Sequence, residues 1–194
     1  MQGRRTLLAR APARSAPPRR GQWAFPPGVV QTFDEASIHV IDASPAMLTQ
    51  ARNRVATQVP AALDRIRFQQ GRVPHLDLDP SFYDLLVTNF FLDCFDRDAL
   101  DRLLPFLDRS LTSEAAWLYA DFCLPERSAR RLRARFWLTV MYRFFRLTTD
   151  LKARALVDPL PALRELDWVC EKSVRSDRDF LLSCLLKRAA GQAG

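Results

Sequence analysis

Apolar residues along this chain arrive in short runs that alternate with helical stripes. Ser37-Ile38-His39-Val40-Ile41 is a run of strand length that stops at Asp42, and Ser44-Pro45 follows at once. Ser44 suits an N-cap and Pro45 a first helical turn, so the pattern predicts a buried strand at 37–41, a tight turn and a helix over 45–57. Met47, Leu48, Ala51 and Val55 fall on one stripe of that helix. Pro60 ends or interrupts it, and Arg65-Ile66-Arg67-Phe68 reads as a second short strand. Gly71 supplies a turn and Val73–Pro80 a loop. Phe82–Asn89 is a third strand, apolar enough to be covered on both faces. Asp98–Ser110 is helical with Leu100, Leu103, Leu104 and Leu107 inward, and Ala115–Phe122 is a fourth strand. The alternation predicts a three-layer α/β sandwich, mostly parallel, with right-handed crossovers.

The carboxyl part changes character. Glu126–Leu147 is a long helical stretch, Pro159–Asp167 a shorter one, and Trp168–Val174 and Phe180–Leu186 read as strands. Only Arg175–Asp179 separates those two strands, so they are expected to pair as an antiparallel hairpin. At 194 residues and 48% apolar content the chain fits one domain with a proper core. Its expected limits are 36–188, with a basic Arg/Pro-rich tail at 1–35 and a flexible end at 189–194.

The charge sharpens that division. Residues 1–33 hold six arginines and no acid, while the remainder carries 23 basic and 22 acidic side chains. The basic excess belongs to the tail, so nucleic-acid binding by the domain gains no support from bulk charge. Three readings of the tail stay open: a flexible segment, an organelle transit peptide, or a segment from a wrong start or shifted frame. The third fits a chain with 26 arginines against 3 lysines, as a GC-rich coding region gives.

Candidate chemistry is sparse. Asp42, at the carboxyl end of a parallel strand, stands where open α/β sheets bind nucleotides and can accept both ribose hydroxyls; its plainer role is helix capping. Cysteines at 94, 123, 170 and 184 lack C-x-x-C spacing and read as buried free thiols of a reducing, cytoplasmic protein. The two histidines show no ligand spacing, so no metal site is expected. His39 reads as a surface or core-edge histidine. His75, in a loop near the expected pocket, is a weak candidate base. Cys94 has no identifiable base beside it and reads as packing. On Glu126–Leu147, Leu132, Phe136, Val140 and Phe144 recur every four residues among arginines. That face fits core covering, an acceptor wall, membrane-surface contact or nucleic-acid contact. No apolar run reaches the ~20 residues a membrane span needs.

Taken together, the chain resembles the class I S-adenosylmethionine-dependent methyltransferases. Four segments carry the likeness: Val40-Ile41-Asp42-Ala43-Ser44-Pro45-Ala46-Met47-Leu48 with Ala51-Arg52; Gln70-Gly71-Arg72-Val73; Phe82 through Asp93; and the final hairpin. The resemblance implies a Rossmann-like sheet and S-adenosylmethionine as cofactor. It gives Asp42 the ribose hydroxyls, and sets Ala43 and Met47 beside adenine and ribose. Arg72 occupies a position where many relatives have an acid for the adenine amine, leaving the backbone of Arg72 and Val73 for that contact. Asn89 and Phe90 would form the floor under the methionine part, with Phe91 and Asp93 nearer the acceptor. No catalytic acid or base is implied, since methyl transfer works chiefly by alignment.

One departure stands out. The family's first strand and acidic Gly-x-Gly loop have no counterpart legible in residues 1–36, so the sheet is expected to be N-terminally truncated. Three functions follow for comparison: methyl transfer to a small-molecule or lipid acceptor, an inactive methyltransferase-like remnant or interaction module, and a nicotinamide-dependent oxidoreductase. The Ser-Pro-x-Met-Leu run and the terminal hairpin count against the last.

Overall fold

The computed structural model describes residues 5–10, 36–123, 157–176 and 181–189. Its strands are β1 (Arg5–Arg10), β2 (Ser37–Asp42), β3 (Ile66–Gln70), β4 (Tyr83–Asn89), β5 (Leu111–Phe122), β6 (Trp168–Ser176) and β7 (Leu181–Arg188). The helices are α1 (Pro45–Gln58), α2 (Arg97–Arg109) and α3 (Leu160–Glu165), with 3₁₀ segments at Pro60–Arg65 and Leu92–Cys94. All seven strands join one sheet in the order β3-β2-β1-β4-β5-β7-β6. The first five are parallel, and β7 enters antiparallel between β5 and β6.

The expectation of a missing first strand is corrected here. Arg5–Arg10 lies in the middle of the sheet, parallel to β2 on one side and to β4 on the other. Without it, β2 and β4 would each leave a row of backbone donors and acceptors unpaired inside the sheet. Leu7-Leu8-Ala9 is a short run between arginines, so composition hid it. Residues 11–35, the Glu126–Leu147 stretch and residues 190–194 lie outside the described residues.

Period-2 alternation divides β2 between two cores. Ile38 and Val40 pack with Val55, Ala62, Ile66, Leu85 and Val87 under α1, while Ile41 joins Leu86, Trp117 and the leucines of α2 on the opposite face. Each helix begins as its sequence dictates. Ser44 caps α1 by accepting from the Met47 amide at 3.4 Å, with Pro45 at the first position, and Asp96 caps α2 by accepting from Ala99 at 2.9 Å. Leu100, Leu103, Leu104 and Leu107 are all essentially inaccessible, as their stripe predicts.

The expected hairpin forms, and tryptophans dock it. Trp168 and Trp117 are buried edge to face with centroids 5.6 Å apart. Trp168 Nε1–H donates to Asp108 Oδ1 at 2.8 Å, and Arg188 reaches the same oxygen while its guanidinium lies 4.9 Å from the Trp168 ring. The cysteines are all free, but Cys170 is exposed and only Cys184 is fully buried, which corrects the expectation of uniformly buried thiols. No helix among the described residues is long and apolar enough to cross a membrane.

Candidate active site at the carboxyl edge of the sheet

In parallel sheets with helices on both faces, the usable crevice lies beyond the strand ends where the winding direction reverses. That point here is β1, with β2 and β3 to one side and β4 and β5 to the other. The register sets the strand ends level: Arg10 opposite Asp42, Asp42 opposite Gln70, and Asn89 opposite Ala120. Side chains named from motifs scattered over 50 residues therefore share one edge.

Asp42 is buried at the end of β2, 3% exposed. Its Oδ1 accepts from the Ser44 amide at 2.8 Å, and its carbonyl accepts from Gly71 at 3.1 Å, which ties the exit of β3 to that of β2. A Cβ at Gly71 would sit 2.5 Å from Leu76 Cδ1, so a larger residue there requires the Leu76 side chain to move. Ala43 and Met47 follow Asp42 and are half-buried. Arg72 is exposed, its carbonyl accepting from His75 at 2.8 Å, whereas Val73 is buried in the core beneath. His75 is exposed.

On the other side of β1, Asn89 and Phe90 are half-buried at the end of β4. Phe90 has φ 52°, a left-handed backbone that residues other than glycine seldom adopt. Its ring lies 5.1 Å from that of Phe122 at the end of β5. Phe91 turns inward, 3% exposed, and packs edge to face on Phe95, so Phe90 keeps the surface and Phe91 supports it. Asp93 is 6% exposed, and burial raises its carboxyl to about 6 despite a bond from the Cys94 thiol. The Cys94 thiol is itself pushed well up by burial and by the charges of Asp93 and Asp121, which suits packing rather than nucleophilic attack.

Sequence reading passed over Asp121. It lies in the buried phase of β5 after Trp117 and Tyr119, and accepts from the Phe91 and Leu92 amides at 2.9 and 3.2 Å. Burial, then the nearby charge of Asp93, holds its carboxyl well above the usual range. The available signal was an acid falling in the inward phase of an apolar strand, as Asp42 does. His39, expected at a surface or core edge, is 9% exposed and bonded on both ring nitrogens, to Tyr83 Oη at 2.7 Å and Gln69 Oε1 at 2.9 Å. It is a framework residue away from the edge. Among the described residues, no group of three or more His, Cys, Asp or Glu is placed to hold a metal ion.

Comparison with known proteins bears on the fold. Residues 24–114 match the methyltransferase domain family. The fold is that of the class I S-adenosylmethionine-dependent methyltransferases. The matched segment of this methyltransferase fold starts after β1 and runs into β5. No curated protein sequence matches the chain. Among solved structures it is similar to a possible exported protein from Bordetella parapertussis, at 16% identity and TM-score 0.58, covering 80% of this chain and 54% of that one. It is similar to the mitomycin 7-O-methyltransferase MmcR at 17% identity and TM-score 0.59, covering 84% and 45%. A third is geranyl diphosphate C-methyltransferase from Streptomyces coelicolor A3(2), crystallised with Mg2+, geranyl diphosphate and S-adenosyl-L-homocysteine. There the identity is 12% and the TM-score 0.66, covering 95% of this chain and 73% of that one. The chain thus spans about half the length of the first two.

Proposed function

We propose that this chain binds S-adenosylmethionine at the carboxyl edge of its sheet and transfers the methyl group to a small-molecule or lipid acceptor. The observation that carries the reading is Asp42, a buried carboxylate ending β2 beside the switch point at β1. A carboxylate is an acceptor with two oxygens, the chemistry that two neighbouring ribose hydroxyls call for. Ala43 and Met47 border the adenosine, the backbone of Arg72 and Val73 faces the adenine, and Asn89 and Phe90 support the methionine part. Asp93 and Phe91 stand on the acceptor side, Phe91 through its support of the turn. When bound, the cofactor supplies an electrophilic methyl on a sulfonium centre. The residues' task is then to hold donor and acceptor in line and exclude water, without a dedicated acid or base. The small acceptors named for the mitomycin and geranyl diphosphate enzymes support a small-molecule class.

A second reading has its own observation. After β1 the sequence runs Ala11-Pro12-Ala13-Arg14, with no acid and no glycine before Gly21. Only glycine lets backbone approach a ligand cheaply, so this favours an inactive methyltransferase-like module. The nicotinamide alternative loses ground, because β7 runs antiparallel between β5 and β6. Methyl-labelled S-adenosylmethionine incubated with the full chain and small-molecule or lipid extracts tests the choice. Label appearing in an extracted product supports the transferase. A folded chain that neither retains nor transfers label supports the inactive module.

A further inference from the structure

Among the described residues, the dipeptide Ala120-Asp121 of β5 accepts from the amides of the turn after β4. Phe90 N–H donates to the Ala120 carbonyl at 2.7 Å, Phe91 N–H to Asp121 Oδ1 at 2.9 Å and Leu92 N–H to Asp121 Oδ2 at 3.2 Å. Three consecutive amides, Phe90 through Leu92, thus end on Ala120 and Asp121. A carboxylate only 1% exposed is a costly choice on a strand whose other inward residues are Ala115, Trp117 and Tyr119. An apolar residue would fill the core but leave those amides without acceptors. The first residue of the set is the one in a strained conformation, Phe90 at φ 52°. Such a backbone persists only where its surroundings over-determine it, and the Ala120–Asp121 clasp does so.

We propose that Asp121 is a positioning residue: it holds Phe90 in the left-handed conformation that keeps Phe90 and Asn89 at the sheet edge. This rests on the cofactor reading above, in which those two residues form the floor of the site. Released from the clasp, Phe90 relaxes to an ordinary negative φ and the floor is lost. Asp121 touches no ligand and acts through the turn.

The test joins hydrogen exchange with binding of S-adenosylhomocysteine to the full chain. Asp121→Asn keeps the size but has one acceptor oxygen, and turns an NH2 toward a backbone donor. Phe90→Gly accepts φ 52° without strain. In Asp121→Asn the Phe91 and Leu92 amides should exchange at least ~100-fold faster, while those of Leu86 and Trp117 keep their protection. Affinity for S-adenosylhomocysteine should fall at least ~10-fold, yet the same substitution made in Phe90→Gly should cost less than ~3-fold. Equal losses in both backgrounds, no loss at all, or faster exchange throughout β4 and β5 would overturn the proposal. A wild-type chain that binds no S-adenosylhomocysteine overturns the cofactor reading and this role with it. That failure is told apart by the missing wild-type signal, while exchange at Phe91 and Leu92 still reports on the clasp.

Discussion

Two buried titratable side chains pull the stability of this protein in opposite directions as pH falls. His39 lies with Nε2 2.9 Å from Gln69 Oε1 and Nδ1 2.7 Å from Tyr83 Oη. Burial favours its neutral form, in which Nε2–H donates to Gln69 and Nδ1 accepts from the Tyr83 hydroxyl. Burial lowers its pKa below 6.5, helped by Arg67 and opposed by the Gln69 bond. The unfolded chain therefore takes up a proton before the native one does, and His39 costs stability as pH drops below 6.5. Asp93 behaves inversely. Its native carboxyl titrates at about 6 against 3.8 when unfolded, so the native state holds the extra proton between those values. Stability gains as pH falls through that window and loses the gain above it. Urea unfolding between about pH 4 and 8 should separate them. His39→Gln should lose less stability on acidification than wild type, and Asp93→Asn should lose more. Superimposable curves for His39→Gln and wild type would contradict a buried neutral imidazole. Neither group's titration was legible in the sequence, because it depends on burial and, for His39, on partners 28 to 44 residues distant.

Elements with strong local signals were legible, and those lacking them were not. The β2–α1 unit follows from an apolar run, an acid, Ser44 and Pro45; strand and helix both begin at the expected residue and each ends one residue later. Strand β5 begins four residues before Ala115, because Thr112, Ser113 and Glu114 interrupt the apolar pattern while Leu111 and Thr112 still lie alongside β4. The docking of the β6–β7 hairpin was out of reach, since Trp168, Asp108 and Arg188 meet only in three dimensions. Trp168→Phe keeps the ring against Trp117 and removes the Nε1–H bond, and should cost about 1–2 kcal/mol. Trp168→Ala also empties the site between Trp117 and Arg188, and should cost about 3–5 kcal/mol. Denaturant unfolding that ranks the two equally would show that the hairpin is held elsewhere.

At the scale of the molecule, the sheet order explains why one strand-end acid carries so much weight. Placing β1 between β2 and β4 brings Asp42, Asn89 and Phe90 to one edge at the reversal point. The sequence disclosed both flanks of that edge, because their residues sit in runs with recognisable caps and turns. It hid the middle, because β1 is six residues long within an Arg/Pro-rich stretch. Asp121 stayed hidden for a related reason: its role is defined by amides on a neighbouring strand's exit. In the proposed function Asp42 receives the ribose of S-adenosylmethionine at this edge. Titration calorimetry of the full chain and of Asp42→Ala with S-adenosylhomocysteine is the test. Wild type should bind with micromolar affinity, weakened at least ~30-fold in the variant, as loss of roughly 2 kcal/mol of charge-assisted hydrogen bonding requires. Equal affinity in both proteins, or a folded wild-type chain that takes up no ligand, would contradict it.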